Sequence, residues 1–183
     1  MPPTIYRIAP ARPADLPLLP AIELAAARLL AGHAPESVLA ETTSQEVLKR
    51  VQSSGQLWVA LADDFPVGFA HVEIFERAAA HLDEIDVHPD HGRRGLGSKL
   101  VKAVCDWAAS ERYGSVTLST FRDVPWNMAF YARLGFEVIP TDELSPELRA
   151  VVQDETRRGL DPERRVVMRR ELDSQNAHPP IPL

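Results

Sequence analysis

The chain has 183 residues, of which 45% are apolar and 25% are charged, and its formal net charge is -6 at pH 7. These values are typical of one globular domain with its own core, and the acidic balance argues against a broad nucleic-acid-binding face. No run is apolar enough to predict a membrane span, and the single cysteine, Cys105, excludes an internal disulfide. We therefore expect a protein of the reducing cytoplasm with neither nucleic acid nor membrane as its partner.

The hydrophobic pattern predicts an α/β (α+β) single domain with a mixed sheet and helices on both of its faces. The predicted helices lie at 16–30, 44–52, 96–107, 125–135 and 146–158. The predicted strands lie at 4–8, 56–62, 67–75, 80–87, 116–120, 136–139 and 165–172. Ser44 is the expected N-cap of the second helix, and the residues 63–66 form the expected turn between the second and third strands.

A glycine-rich turn joins the strand at 80–87 to the helix that follows it. Its sequence is Gly92-Arg93-Arg94-Gly95-Leu96-Gly97-Ser98, and Lys99 and Lys102 follow. Glycine lets a ligand approach the backbone closely, and the unpaired N–H groups that open a helix attract an anion. The basic side chains add local positive charge to an acidic protein. The turn therefore predicts a site for a ligand that carries phosphates.

The order of the glycines separates three kinds of phosphate-binding turn. A P-loop needs Gly-Lys followed by Ser or Thr, whereas Gly97 is followed by Ser98 and then Lys99. A dinucleotide fingerprint needs a third glycine that is absent here. The stretch from Gly92 to Gly97 resembles the pyrophosphate turn of the GNAT superfamily of N-acetyltransferases, Gln/Arg-x-x-Gly-x-Gly/Ala. It departs from that pattern at Gly92, which holds the Gln/Arg position, so Arg93 or Arg94 would have to supply the charge.

A second motif follows about thirty residues later. The run from Pro125 to Phe136 contains Asn127, Tyr131 and Gly135, and it resembles the Asn and Tyr helix that runs into Gly-Phe in the same superfamily. Here Asn127 lies nearer to Tyr131 than in the commonest pattern, so the position of Tyr131 matches better. The two motifs occur in the superfamily's order with a strand between them.

The resemblance implies a donor, an acceptor and a fold. The donor would be acetyl-CoA or a related acyl-CoA, and the acceptor a primary amine of a small molecule or peptide that attacks directly in a ternary complex. The resemblance implies a sheet splayed between the strands at 80–87 and 116–120. The implied donor-binding residues are Ile85, Asp86, Val87, Gly92, Arg93, Arg94, Gly95, Leu96, Gly97, Ser98, Asn127 and Tyr131.

Three residues are the catalytic candidates. Tyr131 resembles the tyrosine beside the coenzyme A sulfur, where a phenol with a pKa of about 10 would at least donate a hydrogen bond to the thiolate. Glu84 is the first candidate for the general base and His81 the second. Strand alternation places His81 with Asp83 on one face and Glu84 with Asp86 on the other, although a β-bulge would change these faces.

The resemblance also implies a domain organisation. We expect a GNAT domain at 1–173 with a coenzyme-binding core at about 56–140, a helical insertion at 141–162 that could cap the acceptor site, and a flexible tail at 174–183. No histidine or cysteine spacing matches a zinc signature, so no metal is expected. The sequence leaves open whether the protein forms a homodimer. The alternatives to an enzyme are a non-catalytic acyl-CoA sensor or interaction module and, less favoured, a nucleotide-binding regulator.

Overall fold

The protein is built on a seven-stranded sheet, seen in a computed structural model that describes residues 3–76 and 79–172. The predicted tail at 174–183 lies outside these residues. The strands are β1 (Tyr6–Pro10), β2 (Leu57–Ala62), β3 (Phe65–Glu76), β4 (Ala79–Val87), β5 (Ser115–Phe121), β6 (Glu137–Val138) and β7 (Arg165–Glu171). Their order is β1-β2-β3-β4-β5-β7-β6, and the pair β4–β5 is parallel while the others are antiparallel. The mixed, mostly antiparallel sheet is confirmed.

Six α-helices accompany the sheet in the described ranges. They are α1 (Leu19–Ala27), α2 (Glu36–Leu39), α3 (Gln45–Ser53), α4 (Leu96–Ser110), α5 (Met128–Arg133) and α6 (Pro146–Arg157). The Ser44 side chain accepts from the Val47 N–H and caps α3, as expected. Within the part of the chain that the structure describes, no helix is both long and apolar enough to cross a membrane.

Three local predictions are wrong in detail. The helix expected at 16–30 is broken, because Pro20 has no N–H to donate to the Leu16 carbonyl, which accepts from the Leu19 N–H in a 3-10 turn instead. The short helix begins at Met128 rather than at Pro125. The turn at 63–66 is shorter than predicted, since β3 already begins at Phe65.

The helices pack on opposite faces of the sheet. Helix α4 covers one face, where Leu100 and Val104 pack against Ala80 and Leu82 of β4. Helices α1 and α3 cover the other face in a second cluster, which contains Leu19, Leu48, Val51 and Phe69. Helices therefore pack on both faces of β4, with α4 on one face and α1 on the other.

The sheet opens between its two parallel strands. The β4–β5 pairing runs from Ala79 with Ser115 to Leu82 with Leu118 and ends there, while β4 continues to Val87 and β5 to Phe121. The last five residues of β4 thus have β3 along one edge and no strand pairing, among the described residues, along the other edge, where the sheet opens as a wedge. This is the splay that the family resemblance implies.

A β-bulge at Asp83 reverses the alternation of β4. In the β3–β4 register, His71 pairs with Glu84 and Val72 with Leu82, which leaves Asp83 as the extra residue. Ala80 and Leu82 face α4 before the bulge, whereas Ile85 and Val87 pack toward α4 after it. Strict alternation was therefore the wrong guide to the faces. The bulge puts His81, Glu84 and Asp86 on the same face, toward α1.

Candidate active site

The glycine-rich turn presents the start of α4 to solvent. A 3-10 turn over Pro89–His91 follows β4, and Gly95, with φ +73°, is the N-cap of α4 and makes no side-chain cap hydrogen bond. Since glycine carries no capping side chain, the first N–H groups of α4 are left for a ligand. The turn residues Arg93, Arg94 and Gly95 are exposed, and Gly92, Gly97 and Ser98 are half-buried.

Only one of the three glycines has a left-handed backbone. Gly92 has φ -63°, and the second left-handed residue of the turn is Arg93, with φ +56°. A Cβ at Gly97 would lie 3.4 Å from Cζ of Phe130, an ordinary van der Waals contact, so α5 packs directly over this glycine. A left-handed backbone is therefore a reason for glycine only at Gly95.

Some basic side chains near the turn already interact with other residues of the protein. The Arg94 guanidinium lies over the ring of Tyr6, 5.4 Å from its centroid. Lys102 forms an ion pair with Asp106 one helical turn further on. Arg93 and Arg94 in the turn and Lys99 in the first turn of α4 are exposed, so their charges lie at the surface close to the open amides in sequence.

Helix α5 places Tyr131 beside the carboxylates of β4. The Tyr131 ring is half-buried and contacts Phe130 and Phe136 edge-on, with centroids 5.0 and 5.9 Å away. Burial first, and then the negative charges of Glu84 and Asp86, raise the pKa of the Tyr131 phenol above its usual range. The hydroxyl therefore stays protonated at neutral pH and is available as a hydrogen-bond donor.

Asn127 lies at the N-terminus of α5, one turn before Tyr131. It is the half-buried N-cap residue, and its side chain makes no cap hydrogen bond. Its backbone carbonyl accepts from the N–H groups of Phe130 and Tyr131, at 3.0 and 3.2 Å. Asn127 thus fixes the start of the helix that carries Tyr131, while its amide side chain remains available to a ligand.

Three carboxylates meet where α1 crosses the end of β4. One oxygen each from Glu23, Glu84 and Asp86 lies within 4.8 Å of the others, a spacing that could also hold a cation. Burial, followed by the charges of Glu23 and Asp83, raises the pKa of Glu84 to about 8. Burial and the neighbouring Glu84 raise the pKa of Asp86 well above its usual range. The cluster therefore retains protons near neutral pH.

His81 lies on the same face of the sheet as Glu84, but its side chain is more deeply buried. It is 3% exposed, and its Nδ1 lies 2.9 Å from Oγ1 of Thr117 on β5. Burial lowers the pKa of His81, against the opposing charge of Asp83. The ring is therefore neutral at pH 7, and only a small part of it reaches the surface.

Sequence reasoning missed a second cluster, formed by His71, Glu73 and Asp83. One donor atom from each lies within 4.8 Å of the others, so a cation could also be held here. His71 is fully buried, and Arg50 binds both oxygens of Glu73. No spacing in the sequence signals this group, because it depends on the bulge at Asp83 and on the pairing of β3 with β4.

A cleft of about 680 Å³ lies in front of the sheet, and it is lined by Glu23, His81, Asp83 and Glu84 but not by Asp86, His71 or Tyr131. Its walls come from β4, the segment before α3, β5 and α6. Eight carboxylates and three arginines line it: Glu23, Glu41, Glu73, Asp83, Glu84, Glu147, Asp154, Glu155, Arg157, Arg158 and Arg165. The cleft is therefore strongly acidic, and both candidate bases, Glu84 and His81, open into it.

The opened sheet and the glycine-rich turn that follows β4 agree with the fold of the acetyltransferases that the sequence resembles. A family model described as "Acetyltransferase (GNAT) family" matches residues 24–136, more than half of the chain. The protein belongs to the GNAT acetyltransferase family, which confirms the resemblance of the two motifs.

Solved structures share this fold. A PaiA N-acetyltransferase from Thermoplasma acidophilum, in complex with coenzyme A, is 21% identical, with a TM-score of 0.71 over 91% of this chain and 99% of that one. The ribosomal-protein-S18-alanine N-acetyltransferase of Escherichia coli is 19% identical, with a TM-score of 0.63 over 95% and 99%. N-acetylglutamate synthase from Neisseria gonorrhoeae, complexed with coenzyme A and N-acetyl-glutamate, is 19% identical with a TM-score of 0.69. This chain is 92% covered in that match and spans 35% of the synthase.

Proposed function

We propose that this protein transfers an acetyl group from acetyl-CoA to a primary amine, by direct attack within a ternary complex. One observation carries the proposal. Glu84 and Asp86 lie beyond Leu82, where the pairing of β4 with β5 ends, and their charges contribute to the raised pKa of Tyr131. A hydrogen-bond donor is thus within electrostatic range of two proton acceptors on an opened strand, which leads into a turn suited to a diphosphate.

The donor would bind along the turn and the edge of β4. The pyrophosphate would accept hydrogen bonds from the amides between Gly92 and Ser98, with Arg93 and Arg94 adding charge. The pantetheine arm would pair with the edge of β4 at Ile85, Asp86 and Val87 that β5 leaves free. An N–H of this edge would stabilise the oxyanion, and such a donor typically contributes about 3 kcal/mol or more. Asn127 would contact the donor from α5.

The acceptor amine must lose a proton before it attacks. An alkylammonium has a pKa of about 10.4, so transfer to a carboxylate with a pKa near 8 is uphill by roughly 3 kcal/mol. A carboxylate of ordinary pKa would face a cost more than twice as large. Glu84 is therefore the base that we favour, and His81 would act through water if Glu84 does not.

The leaving group is a thiolate with a pKa of about 8.5. The Tyr131 hydroxyl holds its proton more tightly than a thiol does, so full proton transfer to sulfur is unfavourable. A hydrogen bond from Tyr131 would still stabilise the charge that develops on sulfur. We thus propose that Tyr131 acts as a hydrogen-bond donor to the leaving thiolate.

An acetylation screen tests the proposal. Pools of primary amines would be incubated with acetyl-CoA, and thiol release would be followed together with acetylated product by mass spectrometry. We expect release that depends on an amine. Binding of acetyl-CoA by calorimetry, without turnover on any pool, would instead favour the non-catalytic acyl-CoA sensor.

The role of the glycine-rich turn can be tested by a substitution at Gly95. Gly95→Val should weaken acetyl-CoA binding at least tenfold, because a β-branched residue at φ +73° distorts the amides that open α4. Gly55→Val is the matched control, since Gly55 has φ +71° and, like Gly95, open space around it. Calorimetry should show weaker binding only in the Gly95 variant. Equal affinities in the two variants would place the diphosphate elsewhere.

A further inference from the structure

Arg165, at the start of β7, is the most deeply buried of the three arginines that line the cleft. Its side chain is 10% exposed, whereas those of Arg157 and Arg158 are 73% and 42% exposed. Its guanidinium lies over the ring of Phe121, 4.5 Å from the centroid, so the ring supports it from one side. An arginine at this depth needs partners for its charge and for its N–H groups.

Glu155 and Ser119 supply most of these partners. Nε of Arg165 donates to Glu155 at 3.0 Å, and Nη2 donates to Glu155 and to Ser119 at 2.6 and 3.2 Å. The Ser119 hydroxyl in turn donates to Glu155 at 3.0 Å. The charge of Arg165 is therefore balanced by Glu155, and the three side chains hold one another in place.

Nη1 of Arg165 is the one nitrogen of this guanidinium without a partner. Among the residues that the structure describes, no hydrogen bond or ion pair reaches Nη1. This atom is not sealed from solvent, because within residues 3–76 and 79–172 the only fully buried side-chain nitrogen and oxygen atoms that lack a partner are the two ring nitrogens of His71. Since Arg165 lines the cleft, a ligand in the cleft can reach the two N–H groups of Nη1.

Arg165 also lies close to the groups of the proposed reaction. It lines the same cleft as Glu84, the favoured base, and a cavity of about 680 Å³ has the size of a small-molecule site. Burial is the main cause of the raised pKa of Tyr131, and the charge of Arg165 opposes that rise, so the guanidinium lies within electrostatic range of the Tyr131 hydroxyl. An acceptor whose amine is at Glu84 can therefore extend to Arg165 with another part of the same molecule.

The charges of the cleft favour a neutral oxygen as the group that Nη1 binds. The positive charge of Arg165 is already paired with Glu155, so a carboxylate of the acceptor would gain little from it. The same carboxylate would be repelled by the eight acidic side chains that line the cleft, against only three arginines. A carbonyl oxygen accepts hydrogen bonds through two lone pairs and carries no net charge.

We propose that Arg165 donates from Nη1 to the carbonyl oxygen of an amide in the acceptor, so that the preferred substrates are amines that carry an amide, as peptides do, rather than free amino acids. The inference rests on the proposed acetyl transfer, with the reacting amine at Glu84. Glu155 and Ser119 hold the guanidinium so that Nη1 stays open to the cleft.

A matched series of acceptors tests this inference. 4-Aminobutanamide, 4-methylpentylamine and 4-aminobutanoate have the same reacting amine and spacer, and they end in an amide, in an apolar group of similar shape and in a carboxylate. Amino amides from glycinamide to 6-aminohexanamide vary the reach between amine and carbonyl. We expect kcat/KM for the best amino amide to exceed that for the alkylamine of the same length about tenfold to a hundredfold, as for a hydrogen bond to a charged group, with the amino acid lowest. Equal values for amide and alkylamine at every length would overturn the inference.

Arg165→Lys separates the proposed hydrogen bond from the ion pair. Lysine keeps a positive charge for Glu155 but lacks the planar fork that presents Nη1 beside it. We expect the ratio of amide to alkylamine kcat/KM to fall about tenfold or more, and this ratio is unaffected by a general loss of folded protein. Arg169→Lys is the matched control, because Arg169 lies on the same strand, forms an ion pair with Glu171 and does not line the cleft. An unchanged ratio in Arg165→Lys would refute the inference.

Binding without turnover separates a failure of this inference from a failure of the proposed reaction. 4-Aminobutanamide would be titrated into protein saturated with coenzyme A and followed by NMR chemical shifts. Arg165→Lys should weaken this binding, and Arg169→Lys should not. Equal affinities in the wild type and Arg165→Lys would refute the inference. Absence of acetylation of every amine, with amide binding still dependent on Arg165, would refute the proposed reaction but not the amide site.

Discussion

Replacing Tyr131 with phenylalanine is expected to lower kcat about a hundredfold while the Kd of acetyl-CoA changes less than about threefold. The variant removes one hydroxyl and keeps the ring that contacts Phe130 and Phe136, so the packing of α5 is retained. The lost hydrogen bond acts only when charge develops on the sulfur. A positioned donor of this kind typically contributes a factor of a hundred or more.

Tyr113→Phe is the matched control for this measurement. Tyr113 follows the far end of α4, where it packs against Trp107, so the same hydroxyl is removed well away from the phosphate turn. Single-turnover rates and calorimetry with acetyl-CoA would separate chemistry from binding. If Tyr131→Phe keeps the wild-type rate, another group stabilises the thiolate, and if it loses affinity as well, the residue serves binding.

The order of strands and helices could be predicted because it depends on local patterns. Alternating and helical spacing of apolar residues identified β2, β4, α4 and β5, and the Ser44 cap follows from a side chain that bonds to its own helix. Helix α2 is absent from the predicted helices, because the four residues Glu36–Leu39 are too few to show a helical period. Sequence patterns therefore do not predict helices that are only about one turn long.

The site could be predicted only in part, since its geometry depends on partners that are distant in sequence. The position of Glu84 relative to His81 follows from the bulge at Asp83, which exists only in the register of β4 with β3. The contact between Glu84 and Glu23 depends on how α1 crosses the sheet. No pattern within one strand contains this information, so the residues could be named as candidates while their common face could not.

Glu84→Gln is expected to lower kcat/KM at pH 7.5 at least a hundredfold and to change its pH profile. A carboxylate accepts a proton only when it is ionised, and the pKa of Glu84 is raised to about 8. Wild-type kcat/KM should therefore rise with pH up to about 8 and then more slowly. In the variant, only the limb set by ionisation of the amine itself, near 10.4, should remain.

Glu23→Gln distinguishes this assignment from a general loss of charge in the cluster. The charge of Glu23 is, after burial, the largest cause of the raised pKa of Glu84. Removing that charge should shift the limb near pH 8 to lower pH and leave it in place, whereas Glu84→Gln should abolish it. If both variants keep the wild-type profile, the base is another group, and His81→Gln becomes the variant to measure.

The stability of the protein should show the same titration without any substrate. Folding raises the pKa of Glu84 from its ordinary value of 4.5 to about 8, so between these pH values the folded state binds a proton that the unfolded state has lost. The contribution of Glu84 to stability is then full below about pH 4.5 and declines as the pH rises toward 8. Glu84→Gln cannot lose a proton, so its Tm minus that of the wild type should increase between pH 5 and pH 9 in thermal melts. A difference in Tm that stays constant over this range would mean that Glu84 has an ordinary pKa, and the basis for choosing it over His81 as the base would be lost.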